Sequence, residues 1–425
     1  MDPMPQALRW LSRFALVLLA LVAVLAAIWA YGRLSSPTAV QRAAIALMER
    51  DEPAEGENGF ELLMALPPGP EGGLPEHLRC DERASCIAAI EAEPEASAAA
   101  IEASRERLEA AARALRAPVY RDRRTTADAL YDLPPLEPVI SLDALRALQF
   151  SAGQTVEALE ATCADTLGAV RWVTAPDTLI NAMIGIAIVR QNAHLIADMR
   201  QRAPDDSLPE SCAALAAPPD PAVEGTICAA LRGEWHYQHR LFPELSRQMA
   251  ESPEWHWSKP LAPLVNDVDW QLATSAEHFA SACGEEARRA AAEDRAHALE
   301  GPPLRWVDRI AFANSALLME IAKGASPLYR DYAEHQLDFV AMRRLLAAFL
   351  QMEAMDPALD NAARFAALPA DLRDGPRPLR LADGGTGLAV PLRARGSGGE
   401  AGLRVLPLPA RPLKPATPGP VAARP

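Results

Sequence analysis

The chain has 425 residues, 42 lysines and arginines against 56 aspartates and glutamates, and a formal net charge of −14. Half of the residues are hydrophobic and 5% are aromatic, which excludes a disordered chain, while 23 glycines and 38 prolines without a G-X-Y period exclude a collagen-like one. Net acidity argues against a nucleic-acid role, because phosphate binding needs a basic surface. The 85 alanines and 39 arginines beside three lysines point to a GC-rich, bacterial coding sequence.

The first element is also the clearest. Phe14 to Tyr31 is free of charge, and at 1.5 Å per residue it makes roughly 27 Å of helix against a hydrocarbon core of ~30 Å. Arg9 and Arg13 precede it, and Trp10, Trp29 and Tyr31 stand where interfacial aromatics belong. A cleaved signal peptide is the competing reading. Its apolar region is shorter, and Ile28 and Trp29 crowd the cleavage position, so an uncleaved signal-anchor is expected. Arg33 and Arg42 follow the segment, so the flanking charges barely decide its orientation. All six cysteines (Cys80, Cys86, Cys163, Cys212, Cys228 and Cys283) lie beyond it, and an even count in a chain with an export-type segment favours disulfides in an oxidising compartment, the periplasm. Leu179 to Val189 is too short for a second span and suits a buried core helix.

The soluble part reads as helix after helix. Asn58 with Glu61 has capping-box spacing ahead of Leu62, Leu63 and Leu66, and a Pro/Gly loop from Pro67 to Pro75 closes that unit. Cys86 to Arg116 is Ala/Glu/Arg-rich and must start, kink or break at Pro94. Pro118 to Pro138 is a polar connector. Ser141 is expected to cap a helix to about Phe150, Thr155 to Val170 forms the next, and Asp177 is expected to cap the apolar one that runs to about Arg202. Asp220-Pro221 marks a helix start, and so does Asp356-Pro357. Lys323-Gly324-Ala325-Ser326-Pro327 ends one helix and begins another, predicting an antiparallel pair lined by Val307, Ile310, Leu317 and Ile321 on one side and Leu337, Leu345 and Met352 on the other. No fixed repeat period is present.

After Asp374 the pattern changes to alternation. Arg377 to Leu381, Leu388 to Leu392 and Leu403 to Leu406, separated by glycine-rich turns, predict a small antiparallel β-meander. From Pro376 onward the chain carries a net charge of +6 against −20 before it. The stretch from Arg411 to Pro425 holds five prolines and no apolar pattern, and is expected to be disordered.

Chemistry is harder to find. The nucleophile elbow, the Walker loop, H-E-x-x-H and C-x-x-C are all absent. The densest cluster of reactive side chains is Glu234, Trp235, His236, Tyr237 and His239, with Trp255 and Trp257 further on. It is the first choice for the wall of a ligand or partner groove. On a helix His236 and His239 share a face and make a weak metal pair, which would need a third ligand such as His256, His278 or Glu244. Adjacent acids such as Glu285-Glu286, Asp267/Asp269 and Asp205-Asp206 read as solvated faces rather than acid/base couples.

The expected architecture is mainly α: an N-terminal transmembrane helix, an irregular multi-helix bundle or solenoid-like ectodomain, and the C-terminal meander. Its divisions are a cytoplasmic N-terminus (1–13), the anchor (14–31), a helical periplasmic domain (32–375), the meander (376–410) and the tail (411–425). The expected function is a single-pass inner-membrane protein whose periplasmic domain is a protein- or peptide-interaction module. Its partners are the membrane and other envelope proteins, and no cofactor and no nucleic acid are expected. A membrane-tethered hydrolase using His236 and His239, with or without zinc, is the alternative. A sensor is disfavoured, because ~13 cytoplasmic residues leave no room for an output domain. Prolines between Cys212 and Cys228 suggest that these two pair across a tight turn, the loop-like Asp81-Glu82-Arg83 suggests Cys80 with Cys86, and Cys163 and Cys283 are left by elimination.

Overall fold

The computed structural model describes residues 6–49, 55–70, 73–78, 80, 85–124, 133–175, 177–204, 207–251, 266–299, 301, 303–323, 326–393 and 402–409. The tail from Arg411 to Pro425, Trp255, His256, Trp257 and residues 125–132 of the polar connector lie outside them.

Helix α1 (Gln6–Leu34) is long and apolar enough to cross a membrane. Its residues from Trp10 to Ala27 are exposed all round, and only from Ile28 onward does it touch the rest of the chain. α2 (Ala39–Met48) opens with a reciprocal capping box: the Gln41 amide N–H donates to Thr38 Oγ1 at 3.1 Å, and the Thr38 N–H donates to Gln41 Oε1 at 2.9 Å. At α3 (Gly59–Met64) Asn58 Oδ1 accepts from the Phe60 N–H, but its side-chain amide, not its backbone N–H, binds Glu61. α4 (Cys86–Ala92) is followed by α5 (Pro94–Arg116), with Pro94 in the first turn where its missing N–H is not needed.

α6 (Glu137–Ile140) and α7 (Leu142–Ser151) meet at Ser141. Its hydroxyl donates back to the Glu137 carbonyl, so the expected side-chain cap of α7 does not form. α8 (Thr155–Thr174) and α9 (Leu179–Arg202) make the central pair, with Val189, Ala193 and Ile196 wholly buried. Gly168 and Gly185 permit backbone contact at this centre. A Cβ on Gly168 would stand 2.5 Å from the Leu115 carbonyl oxygen, and one on Gly185 2.9 Å from that of Ala169.

α10 (Glu210–Leu215) and α11 (Pro221–Glu224) are short. Asp220 caps α11 as expected, its Oδ1 accepting from the Ala222 N–H at 2.9 Å, but the helix ends within one turn and α12 (Cys228–Glu251) starts afresh at Cys228. α13 (Val268–Ala280), α14 (Glu285–Ala292), α15 (Trp306–Ala311), α16 (Ala313–Lys323) and the 29-residue α17 (Ser326–Ala354) follow. α16 packs on α13 rather than lying along α17, so Leu317 and Ile321 do not line an antiparallel seam as expected; they are 59% and 65% exposed. α18 (Asn361–Ala367) is capped by Asp360, whose Oδ1 accepts from Ala363 N–H, and not started by Asp356-Pro357, which makes a turn. α19 (Ala370–Arg373) precedes the sheet.

The meander is as expected: β1 (Arg380–Leu381), β2 (Gly387–Pro391) and β3 (Leu403–Pro407) pair antiparallel in that order, with Leu388 opposite Leu406. Leu388, Val390 and Leu406 belong to one large core with α3, α4, α5, α7, α8, α9 and α17. A second core joins α2, α12 and α13, and a third joins Trp270, Ala311, Phe312, Ala316 and Met319, with Trp29 of α1 against it.

All six cysteines are in disulfides. Cys80–Cys86 forms as expected, whereas the other four pair as Cys163–Cys212 and Cys228–Cys283. The physical reason is the break after α11. α10 packs on α8, which puts Cys212 beside Cys163, and the fresh start at Cys228 turns that residue toward the end of α13.

Candidate functional site

The aromatic cluster on α12 is a packing seam. Trp235 is buried and its indole N–H donates to the Leu272 carbonyl of α13 at 2.9 Å. The His236 and His239 rings stand edge-on to it, 5.0 and 5.3 Å between centroids. Glu234 Oε1 accepts from the Leu179 N–H at 2.8 Å and so caps α9 from another helix, while Asp177, the expected cap, binds the Thr178 N–H and the Asn181 amide. Burial raises the Glu234 pKa. Tyr237 carries the Arg240 guanidinium 5.7 Å from its ring centroid. Among the described residues no third ligand forms a cluster with His236 and His239. Glu244 instead faces Arg247 and Gln248.

Sequence reasoning missed a buried polar network elsewhere in the domain. Arg377 grips Asp294 with two bonds of 2.8 and 2.7 Å and also donates to Asp338; the Arg393 side chain adds a further bond to Asp294, and its backbone N–H donates to Asp338. Asp294 holds a left-handed φ of 56°, a conformation tolerated by aspartate. Beside this network lies a cavity of about 250 Å³ walled by Pro218, Pro219, Leu337, Val340 and Leu372. Arg344 lines it with its Nε and Nη2 buried and unpaired. Burial, with the Arg377 charge close by, lowers the Arg344 pKa. A half-buried guanidinium with two unpaired N–H groups is costly, and this one borders a mostly apolar space that Asp294 and Asp371 also line. Gly375 is needed to seat it, since a Cβ there would fall on Arg344 Nη1. The one sequence signal was the arginine-rich run after Asp374; its long-range partners were not visible.

A third feature is the joint between α1 and the domain. α15 crosses the end of α1 so closely that a Cβ on Gly32 would be 2.5 Å from Ala311 Cβ. Arg33 ion-pairs with Asp267 at 2.7 Å and stacks over Phe312 and Trp29, 4.7 and 5.4 Å from their ring centroids. α16 leaves from this level with Leu317, Leu318 and Ile321 exposed, and Trp306 of α15 is 64% exposed nearby.

Comparison with known proteins finds no family model, no curated protein and no solved structure that matches the chain.

Proposed function

We propose that this chain is a single-pass membrane protein of the bacterial inner membrane whose helical periplasmic domain is a peptide-interaction module. The joint carries the reading. α1 is bare and apolar over a length that matches a bilayer, then becomes part of the domain within one turn, at the level where Trp306, Leu317, Leu318 and Ile321 offer apolar surface to a lipid interface. The three disulfides support the oxidising side of the membrane.

For the binding role the support is the Arg344 cavity. A fixed positive charge at an apolar, proline-lined wall suits the C-terminal carboxylate of a peptide with a small apolar last residue. The hydrolase alternative gains no support from His236 and His239, which both pack on Trp235.

Two measurements test this. The protein should resist carbonate extraction and be cut by protease only from the periplasmic side of spheroplasts. Fluorescein-labelled tetrapeptides with a free carboxylate should bind at least about tenfold more tightly than their C-terminal amides, a preference that Arg344→Met removes. Extraction into the soluble fraction refutes the anchor, and equal binding of acid and amide refutes the cavity.

A further inference from the structure

We propose that Cys80–Cys86 is a redox-active disulfide, reduced by thiol–disulfide exchange with a dithiol, and that the Asp143 carboxyl gives the proton which the departing Cys86 sulfur takes up. This activity is separate from peptide binding.

Asp143 is 4% exposed, on the first turn of α7, which packs on α4. Its Oδ1 accepts from the Ala144 N–H at 2.8 Å, and its Oδ2 has no partner. One oxygen of this carboxyl and the sulfurs of Cys80 and Cys86 all lie within 4.8 Å of one another. A buried carboxyl with an idle oxygen serves stability poorly, so its place against a disulfide calls for an explanation.

The two cysteines differ in exposure. Cys80 is half-buried, whereas Cys86 is 7% exposed. An incoming thiolate therefore attacks Cys80 Sγ. The S–S bond breaks, and Cys86 Sγ leaves with the electron pair into a site where an unprotonated thiolate is expensive. The proton on Asp143 neutralises it. The donor's second thiol, having lost its proton to solvent, then attacks the donor sulfur of the mixed disulfide and expels Cys80 as thiolate. The donor departs as a disulfide, and its two electrons remain in the Cys80/Cys86 pair.

Burial pushes the Asp143 pKa to about 7, which keeps the proton available near neutrality. Arg190 and Arg202 of α9, Arg116 of α5, Glu91 of α4, Glu137 of α6 and Arg146 of α7 itself are among the charged groups on the elements packed around α7. Arg146 of α7 and Arg116 of α5 bind Asp165 of α8, while Arg202 of α9 binds Asp198 and Glu91 of α4. The molecule also holds its own controls. Cys228–Cys283 likewise joins a half-buried to a buried cysteine, but no carboxylate forms a cluster with it among the described residues, and both residues of Cys163–Cys212 are wholly buried.

The test is reduction of the full-length, detergent-solubilised protein by dithiothreitol from pH 5.5 to 9, with alkylation and peptide mapping to follow each disulfide. Cys80–Cys86 should be reduced before the other two. Its rate per unit of dithiothreitol thiolate should fall as pH rises through about 7, where Asp143 loses its proton. Asp143→Asn should slow that bond alone, by at least about tenfold at pH 6, and flatten the profile. A flat wild-type profile, reduction in step with Cys228–Cys283, or an unchanged rate in a folded Asp143→Asn protein overturns the proposal. The wild-type profile decides the matter even when the variant does not fold.

Discussion

Asp143→Asn should gain stability relative to wild type as pH rises, starting below it in acid. The unfolded carboxyl titrates near 3.8, and burial raises the folded value to about 7. The folded chain thus holds the proton more tightly than the unfolded one, and ionisation above pH 4 favours unfolding. Stability is lost progressively as pH rises from about 4 to about 7, and the loss then levels off. At about 1.4 kcal/mol per pH unit, the ionised carboxylate costs about 4 kcal/mol above pH 7. Asparagine keeps the shape and an acceptor for the Ala144 N–H but carries no charge. Its amide N–H groups, without partners at Oδ2, cost about 1–3 kcal/mol at every pH and cancel in the comparison. Urea unfolding of the solubilised protein at pH 4, 6 and 8 should show the variant gaining about 3–4 kcal/mol on wild type between the extremes. A change below about 1 kcal/mol would mean that Asp143 is hydrated or paired in solution and that the reasoning fails.

Removing Cys163–Cys212 by a pair of serines should cost about 4 kcal/mol and removing Cys80–Cys86 about 2 kcal/mol, because the bridges span 49 and 6 residues; thermal or urea unfolding measures the order. Gly32→Leu should loosen the joint, read as new protease cleavage between α1 and the domain, since its side chain collides with Ala311 and the Val307 carbonyl. Trp235→Ala should cost about 3–5 kcal/mol by opening a cavity between α12 and α13, with circular dichroism melting as the check. Arg344→Met should leave stability unchanged or raise it by about 1–2 kcal/mol, because it removes a half-buried charge with two unpaired N–H groups; a loss above about 2 kcal/mol would contradict this.

Local signals in the sequence were read well for whole elements and less well for their ends, where the caps expected at Ser141 and Asp177 and the start at Asp356-Pro357 did not form. The apolar run of α1, the buried α9, the alternating strands and the Lys323–Ser326 break each depend on neighbours in the chain. Whatever depends on distant partners was not legible. Glu234 caps a helix that begins 55 residues earlier, and Arg377 finds Asp294 across 83 residues. Cysteine pairing failed for the same reason: proline spacing fixes a turn but not which helix stands beside it. Leu317 and Ile321 show a different limit. Helical spacing reveals an apolar stripe, but the same stripe can lie in a core or on an exposed face, and only the packing of α16 on α13 separates the two. Asp143 and the cysteine pair became a candidate site only in three dimensions, where α4 and α7 meet.

The contact of Gly32 with Ala311, locked by Arg33, leaves no swivel between α1 and the domain. With α1 in a bilayer, the domain inherits the helix's azimuth as well as its height. An α-helix turns 100° per residue, so inserting one residue in the exposed part of α1 would swing any residues preceding the insertion by about 100° relative to the domain and shift them by about 1.5 Å. Anything that grips α1 within the membrane would therefore set the compass direction in which the Arg344 cavity faces, and a seven-residue insertion would bring it back to within about 20°.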